Sequence, residues 1–164
     1  MQLQSLKDLF HEELKDLYSA EAQIIDALPM MIDAVKHEEL ASAFRDHLEK
    51  TRGHRQRIEE ICDQLGVDPR GHACKGMKGI IAEGDEFVEA DGDANARDAA
   101  IIGAAQRAEH YEMAGYGTAR THARRLDLDD VAEKLQGTLD EEMEADRLLT
   151  ELAEKSLNRE AVAR

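Results

Sequence analysis

From Asp98 to Arg125 the chain reads as an alanine-rich helix with an unusual core-facing side. Ile102, Ala105, Met113, Tyr116 and Ala123 recur at a helical period, and Glu109 and Glu112 fall on the same stripe. A helix that aims two acids inward constrains everything packed against it. A buried, unpaired carboxylate costs several kcal/mol and usually takes up a proton instead. The rest of the fold must therefore place something positive or proton-donating opposite Glu109 and Glu112.

The remaining segments are also helical in period, and runs of aromatic or β-branched residues of strand type are missing. Leu3, Leu6, Phe10, Leu14, Leu17, Ile24, Leu28, Met31 and Val35 form a first stripe, with Ser5 as its N-cap and Glu21 inside it. Pro29 lacks a donor and crowds the carbonyl of Ile25, so this helix is expected to kink or restart there. A turn at Lys36 and His37 leads to a second helix with Leu40, Phe44, Leu48, Ile58, Ile61 and Leu65 inside and His47, Thr51 and His54 on or beside that face. Gly66 and Pro69 end it. A short amphipathic segment carrying Met77, Ile80, Ile81, Phe87 and Val88 follows, and the loop from Asp91 to Asn95 closes it. Asp98 is taken as the N-cap of the next helix. After a break at Asp127 to Asp129, a last helix runs from about Val131 with Leu135, Leu139, Leu149 and Leu152 inside. Glu142 and Asp146, one turn apart, share that inner face, and the tail after Leu157 is expected to fray.

These readings give helices over about 3–35, 38–65, 74–90, 98–125 and 129–157, in a single domain covering 1–164. Short links make two antiparallel hairpins, and the long link between them permits a crossover. The expected fold class is all-α: a four-helix bundle with a long crossover containing an extra short helix. Reflecting positions about each turn brings position 21 opposite about position 51, and position 112 opposite about position 141. Glu21, the region from His47 to His54, Glu109, Glu112, Glu142 and Asp146 then lie near one level of the bundle.

A single inward Glu or His is most often a satisfied core group. Five acids converging with histidine are another matter, because like charges in low dielectric cannot all stay ionised without cations between them. Oxygen-rich ligation with imidazole suits iron or manganese, and bridging carboxylates are how bundle cores hold two ions. His11, His37, His72 and His122 fall at ends, turns or edges and receive no role, while Glu12, Glu13, Glu59, Glu60, Glu141 and Glu144 sit mostly on outer faces.

Charge narrows the partners. Asp and Glu outnumber Lys and Arg by 36 to 21, for a formal net charge of −15. Such a surface disfavours nucleic acid and bare anionic membrane and favours cations. No apolar run is long enough to span a bilayer, and Met1 to Gln4 lacks the features of a signal peptide, so a cytoplasmic location is expected. Cys62 and Cys74 are read as free thiols, with a bridge around the turn as the alternative. Low aromatic content and apolar residues outside the main stripes, Ile25, Ile32 and Ile101, lead to the expectation of a homodimer; coverage by the crossover segment is the alternative.

Leu17-Tyr18-Ser19-Ala20-Glu21, Phe44 to Thr51, Ala108-Glu109-His110-Tyr111-Glu112 and Leu139-Asp140-Glu141-Glu142 together resemble the ferritin-like YciE/YciF stress-protein family over nearly the whole chain. That resemblance implies a ferritin-like bundle, often dimeric, with a di-iron centre and a ferroxidase activity. Two departures stand against a full ligand set. Glu-x-x-His, usual on two helices of such sites, occurs on neither, the nearest match being Thr51-x-x-His54. Lys50 stands where the family has a second acid, and a lysine there could replace one metal charge with salt bridges. The nominal grouping places Glu21 and His47 on one ion and Glu142 and Asp146 on the other, with Glu109 and Glu112 bridging or completing both. His54 is the alternative imidazole. Two functions follow: a di-metal protein in which two iron or manganese ions meet O2 or peroxide, or a metal-free or single-metal stress protein whose acids share protons or form a contact.

Overall fold

The structure is a computed structural model that describes residues 3–162. Its long helices are α1 (Leu6–Ala34), α2 (Glu38–Leu65), α4 (Ala94–Arg125) and α5 (Asp129–Leu152), with α3 (Lys75–Val88) in the crossover. α1 packs on α2 and α4, and α5 packs on α4 and α2, so the four close into a ring; α3 lies against α1 and α4. No strand occurs among the described residues. This is an all-α, ferritin-like bundle.

Two apolar clusters give the directions. Phe10, Leu14 and Leu17 of α1 meet Ile58 and Ile61 of α2, Tyr116 and Ala119 of α4, and Val131 and Leu135 of α5. At the other end Ile24 and Leu28 meet Leu40 and Phe44, Ile101 and Ile102, and Leu149. Early residues of α1 therefore pair with late residues of α2 and α4 and early residues of α5. α1 and α5 run one way, α2 and α4 the other, and the segment from 66 to 93 must cross the bundle lengthwise. Each fully buried aliphatic side chain in these clusters contributes about 1.5–3 kcal/mol. Between the clusters lies a layer of buried polar residues.

Local chemistry sets the ends. Ser5 Oγ accepts from the Asp8 amide at 3.1 Å and starts α1. Pro29 does not restart that helix, which continues unbroken to Ala34. Gly66 closes α2 at φ 68°, a conformation that suits glycine, with Val67 N donating to Cys62 O at 2.9 Å. Gly115 lets α4 approach α1: a Cβ there would fall 2.8 Å from Leu17 Cδ2.

Several boundaries differ from the sequence reading. α4 starts a turn earlier, because Asp93, not Asp98, caps it by accepting from the amides of Asn95 and Ala96. Asp98 is 1% exposed and ties down the α1–α2 turn instead: its carboxylate accepts from Lys36 N and His37 N, just before α2. Leu3 is exposed and precedes α1. After α5 the chain widens through a π turn at Ala153–Leu157 into a short helix α6 (Asn158–Val162) that packs on α4, where fraying was expected. Ile101 is fully covered within the chain and does not belong to a second exposed face. Cys62 and Cys74 are both free and buried.

Candidate metal centre

Glu21, His47, His54, Glu109, Glu112 and Glu142 occupy the polar layer, each 8% exposed or less. α1 supplies Glu21, α2 both histidines, α4 the pair three residues apart, and α5 Glu142. The spacing from 47 to 54 is two helical turns, so both imidazoles lie on the bundle-facing side of α2. They form two groups. His47, Glu109, Glu112 and Glu142 make one, and Glu21, His54 and Glu142 the other; within each, one potential ligand atom per residue lies within 4.8 Å of the rest. Glu142 belongs to both.

Distances show how incompletely these groups satisfy one another. His47 Nε2 is 3.2 Å from Glu109 Oε1. His54 Nδ1 lies 2.8 Å from Glu142 Oε1 and 3.7 Å from Glu21 Oε1. The shorter approach lacks hydrogen-bond alignment, since both atoms remain without a directed partner. Glu21 Oε2, Glu109 Oε2 and both carboxylate oxygens of Glu112 and Glu142 are likewise buried and unpartnered. Such atoms normally find a donor, and so many in one layer call for a positive occupant.

Electrostatics agree. Burial, and then the charge of Glu142, push the Glu21 carboxyl up to about 8. Glu109 is raised well above the carboxylate range by burial and by Glu142, and Glu112 by burial and by Glu21. His47 is lowered by burial, with Lys50 and His54 acting in the same direction against Glu142. Burial also opposes charge on His54, but Glu142, Glu21 and Glu141 outweigh it and raise its pKa. Four carboxylates carry a formal charge of −4, which two divalent cations would balance with both imidazoles neutral. The donor set of four carboxylates and two imidazoles fits two ions of the iron or manganese type.

Outside this layer the supporting contacts were less legible. Glu141, read as an outer-face residue, is 41% exposed at its side chain yet reaches His54 Nε2 at 2.6 Å and Arg57 at 3.2 Å. Histidine with an acid on one nitrogen and an inward second nitrogen is the usual form of an oriented metal ligand. Tyr116, fully buried on the stripe of α4, donates its hydroxyl to Glu21 Oε1. Thr51 contributes no ligand atom, because its hydroxyl donates to the His47 carbonyl of its own helix.

The structure does not bring Asp146 into either group. Its Oδ1 accepts from Gln106 Nε2 at 3.0 Å and lies 3.3 Å from His110 Nε2. Glu21 sits with His54 instead of His47, and the shared acid is Glu142. Lys50 is exposed and forms no ion pair with the layer among those described.

A ring of four helices running two each way, with carboxylates and imidazoles across its middle, defines a ferritin-like bundle with a carboxylate–histidine core. The chain belongs to the family described as a domain of unknown function, DUF892, whose model matches residues 5–162. It is 39% identical over 162 residues to the protein YciF of Escherichia coli K12, with 98% of each chain covered. The crystal structure of that E. coli stress protein matches with a TM-score of 0.91, over 95% of this chain and 99% of the other, so the YciE/YciF stress-protein resemblance holds. A Rhodopseudomonas palustris protein described as structural matches at 38% identity and a TM-score of 0.87, over 91% and 95% of the two chains. A Bacillus anthracis structure described as a ferritin-like, diiron-carboxylate protein shares the fold at 17% identity, with a TM-score of 0.71 over 93% and 99%. No helix among the described residues is long and apolar enough to cross a membrane.

Proposed function

We propose that the buried layer is a di-metal centre for iron or manganese and that the protein uses it to oxidise Fe(II) with dioxygen or peroxide. The observation that carries this reading is the unpartnered state of Glu112, Glu142 and one oxygen each of Glu21 and Glu109, all inside a protein core. The likeness to a protein described as diiron-carboxylate supports it. His47, Glu109 and Glu112 would hold one ion, Glu21 and His54 the other, and Glu142 both.

The chain's own residues prepare that site in three ways. Glu141 fixes the ring of His54 through Nε2 and leaves Nδ1 facing Glu142. Tyr116 occupies one oxygen of Glu21 and leaves the other available. The raised carboxyls of Glu21, Glu109 and Glu112 hold protons until cations displace them, so loading releases protons and strengthens as pH rises. Bound ions supply Lewis acidity and one-electron redox change. Apolar clusters above and below shield the layer along the bundle axis.

Stopped-flow oxidation of Fe(II), followed optically with either oxidant, tests the activity. Wild type should exceed the rate in buffer, while Glu109→Ala and Glu142→Ala should fall to it. If wild type does not exceed that rate with dioxygen or peroxide, the oxidase reading fails.

A further inference from the structure

His47 and Glu109 stand where two openings of unlike chemistry meet. One is a groove between α2 and α5 of about 390 Å³, lined by Asp46, Glu49, Lys50 and Glu144 as well as by apolar residues. The other is a narrow cleft of about 40 Å³ bordered by α1, α2, α3 and α4. Its walls include Ile24, Leu28, Phe44, Ile80, Ile81 and Ala105. His47 and Glu109 line it as well, and His47 Nδ1 and Glu109 Oε2 are buried and lack partners. Asp85 is the other charged residue in the lining.

We infer that this cleft seats a small, neutral, apolar molecule of dioxygen's class beside the His47 and Glu109 side of the centre. Size limits the occupant first: about 40 Å³ admits a few waters or a diatomic molecule and no organic substrate of ordinary size. Wall chemistry decides next. Along Ile24, Phe44, Ile80 and Ile81 a cation or a strongly hydrogen-bonded molecule would give up its hydration with only His47, Asp85 and Glu109 to return it, whereas a neutral gas gives up little. Cations have the acidic groove as their way in.

The inference also accounts for α3, since its Ile80, Ile81 and Gly84 complete the wall that the four bundle helices leave open. A Cβ at Gly84 would touch Ala104 Cβ at 3.5 Å, an ordinary contact, so the first carbon of a side chain fits there without backbone adjustment. The chemical use of the cleft rests on the proposed centre, but occupancy by a gas does not.

Crystals of the metal-free protein pressurised with xenon test the seat directly. Xenon density beside Ile24, Phe44 and Ile81 is expected, and Gly84→Leu and Ala27→Leu should each abolish it while keeping the wild-type helix content. Absence of xenon from the wild-type cleft would overturn the inference. In the iron-loaded protein the ratio of dioxygen-driven to peroxide-driven oxidation should fall severalfold in Gly84→Leu. An unchanged ratio would overturn the cleft as the gas seat of the reaction. Failure of wild type to bind iron would instead remove the proposed function, with xenon occupancy still deciding whether the cleft takes a gas.

Discussion

His54 Nε2 lies 2.6 Å from Glu141 Oε2, so a half-exposed acid on α5 holds an imidazole that is otherwise sealed in the core. The contact leaves Nδ1 toward Glu142 and sets which nitrogen is offered inward. Removing partners of this kind typically lowers metal affinity about 10–100-fold. Glu141→Ala is therefore expected to weaken binding at the His54 group by that factor and to cost about 1–3 kcal/mol of folding stability, because the buried His54 Nε2 loses its acceptor. Glu141→Gln, which keeps an acceptor, should recover part of the loss. Competition with a chromophoric chelator measures both, and an affinity equal to wild type in Glu141→Ala would contradict the role.

Asp98 is a second acid whose work lies across the bundle from its own helix. Its carboxylate takes the Lys36 and His37 amides at 2.9–3.1 Å, and at 1% exposure no water replaces it. Asp98→Ala should cost about 1–3 kcal/mol by leaving two amides unsatisfied. Asp98→Asn should cost less. Urea unfolding of the metal-free protein provides the comparison.

The metal-free protein should lose stability as pH rises from about 5 to about 8. Glu21 is held near 8 in the fold against an ordinary 4.5, so the native state keeps a proton that the unfolded chain has released. Its contribution is complete below about 4.5 and is lost as pH climbs through the folded value. Glu109, Glu112 and His54 are also raised and act with the same sign. His47 and the partly buried His11, both lowered by burial, act against them as pH rises toward 6.5, while Glu13, raised by burial, adds to the larger set. Thermal melts in EDTA should show the decline, and Mn(II) should reverse it increasingly at higher pH by binding only the native state. A metal-free melting temperature that rises through this range would contradict the assignment.

Both cysteines should resist a thiol reagent until the protein unfolds. Burial pushes Cys62 up to about 11 and raises Cys74, while Cys74 Sγ also lies 3.1 Å from Asp16 and 3.0 Å from Tyr111. Titration before and after denaturation checks this, with both thiols expected to appear together.

Much of this was legible from periodicity. The stripe from Phe10 to Leu28, and Glu109 with Glu112 on an apolar face, follow from local spacing, and reflecting about the turns places Glu21 and Glu142 at one level. Spacing could not separate Asp93 from Asp98 as caps. The signal that Asp98 points to the α1–α2 turn is tertiary, since the amides it serves are 61 and 62 residues away in sequence. Glu141 misleads for a similar reason: it sits on the border between the inner and outer faces of α5, and only the position of His54 decides which way it matters. The clasp of His72, Cys74 and Tyr111 on Asp16 joins three segments and leaves no pattern in any one of them.

Elemental analysis after anaerobic reconstitution and removal of loose metal tests the central claim most directly. Wild type should retain about two iron or manganese ions per chain. Glu142→Ala should retain neither tightly, because that carboxylate belongs to both groups. Wild-type protein that holds no ion after reconstitution, or a Glu142→Ala variant that keeps the full complement, would contradict the di-metal centre.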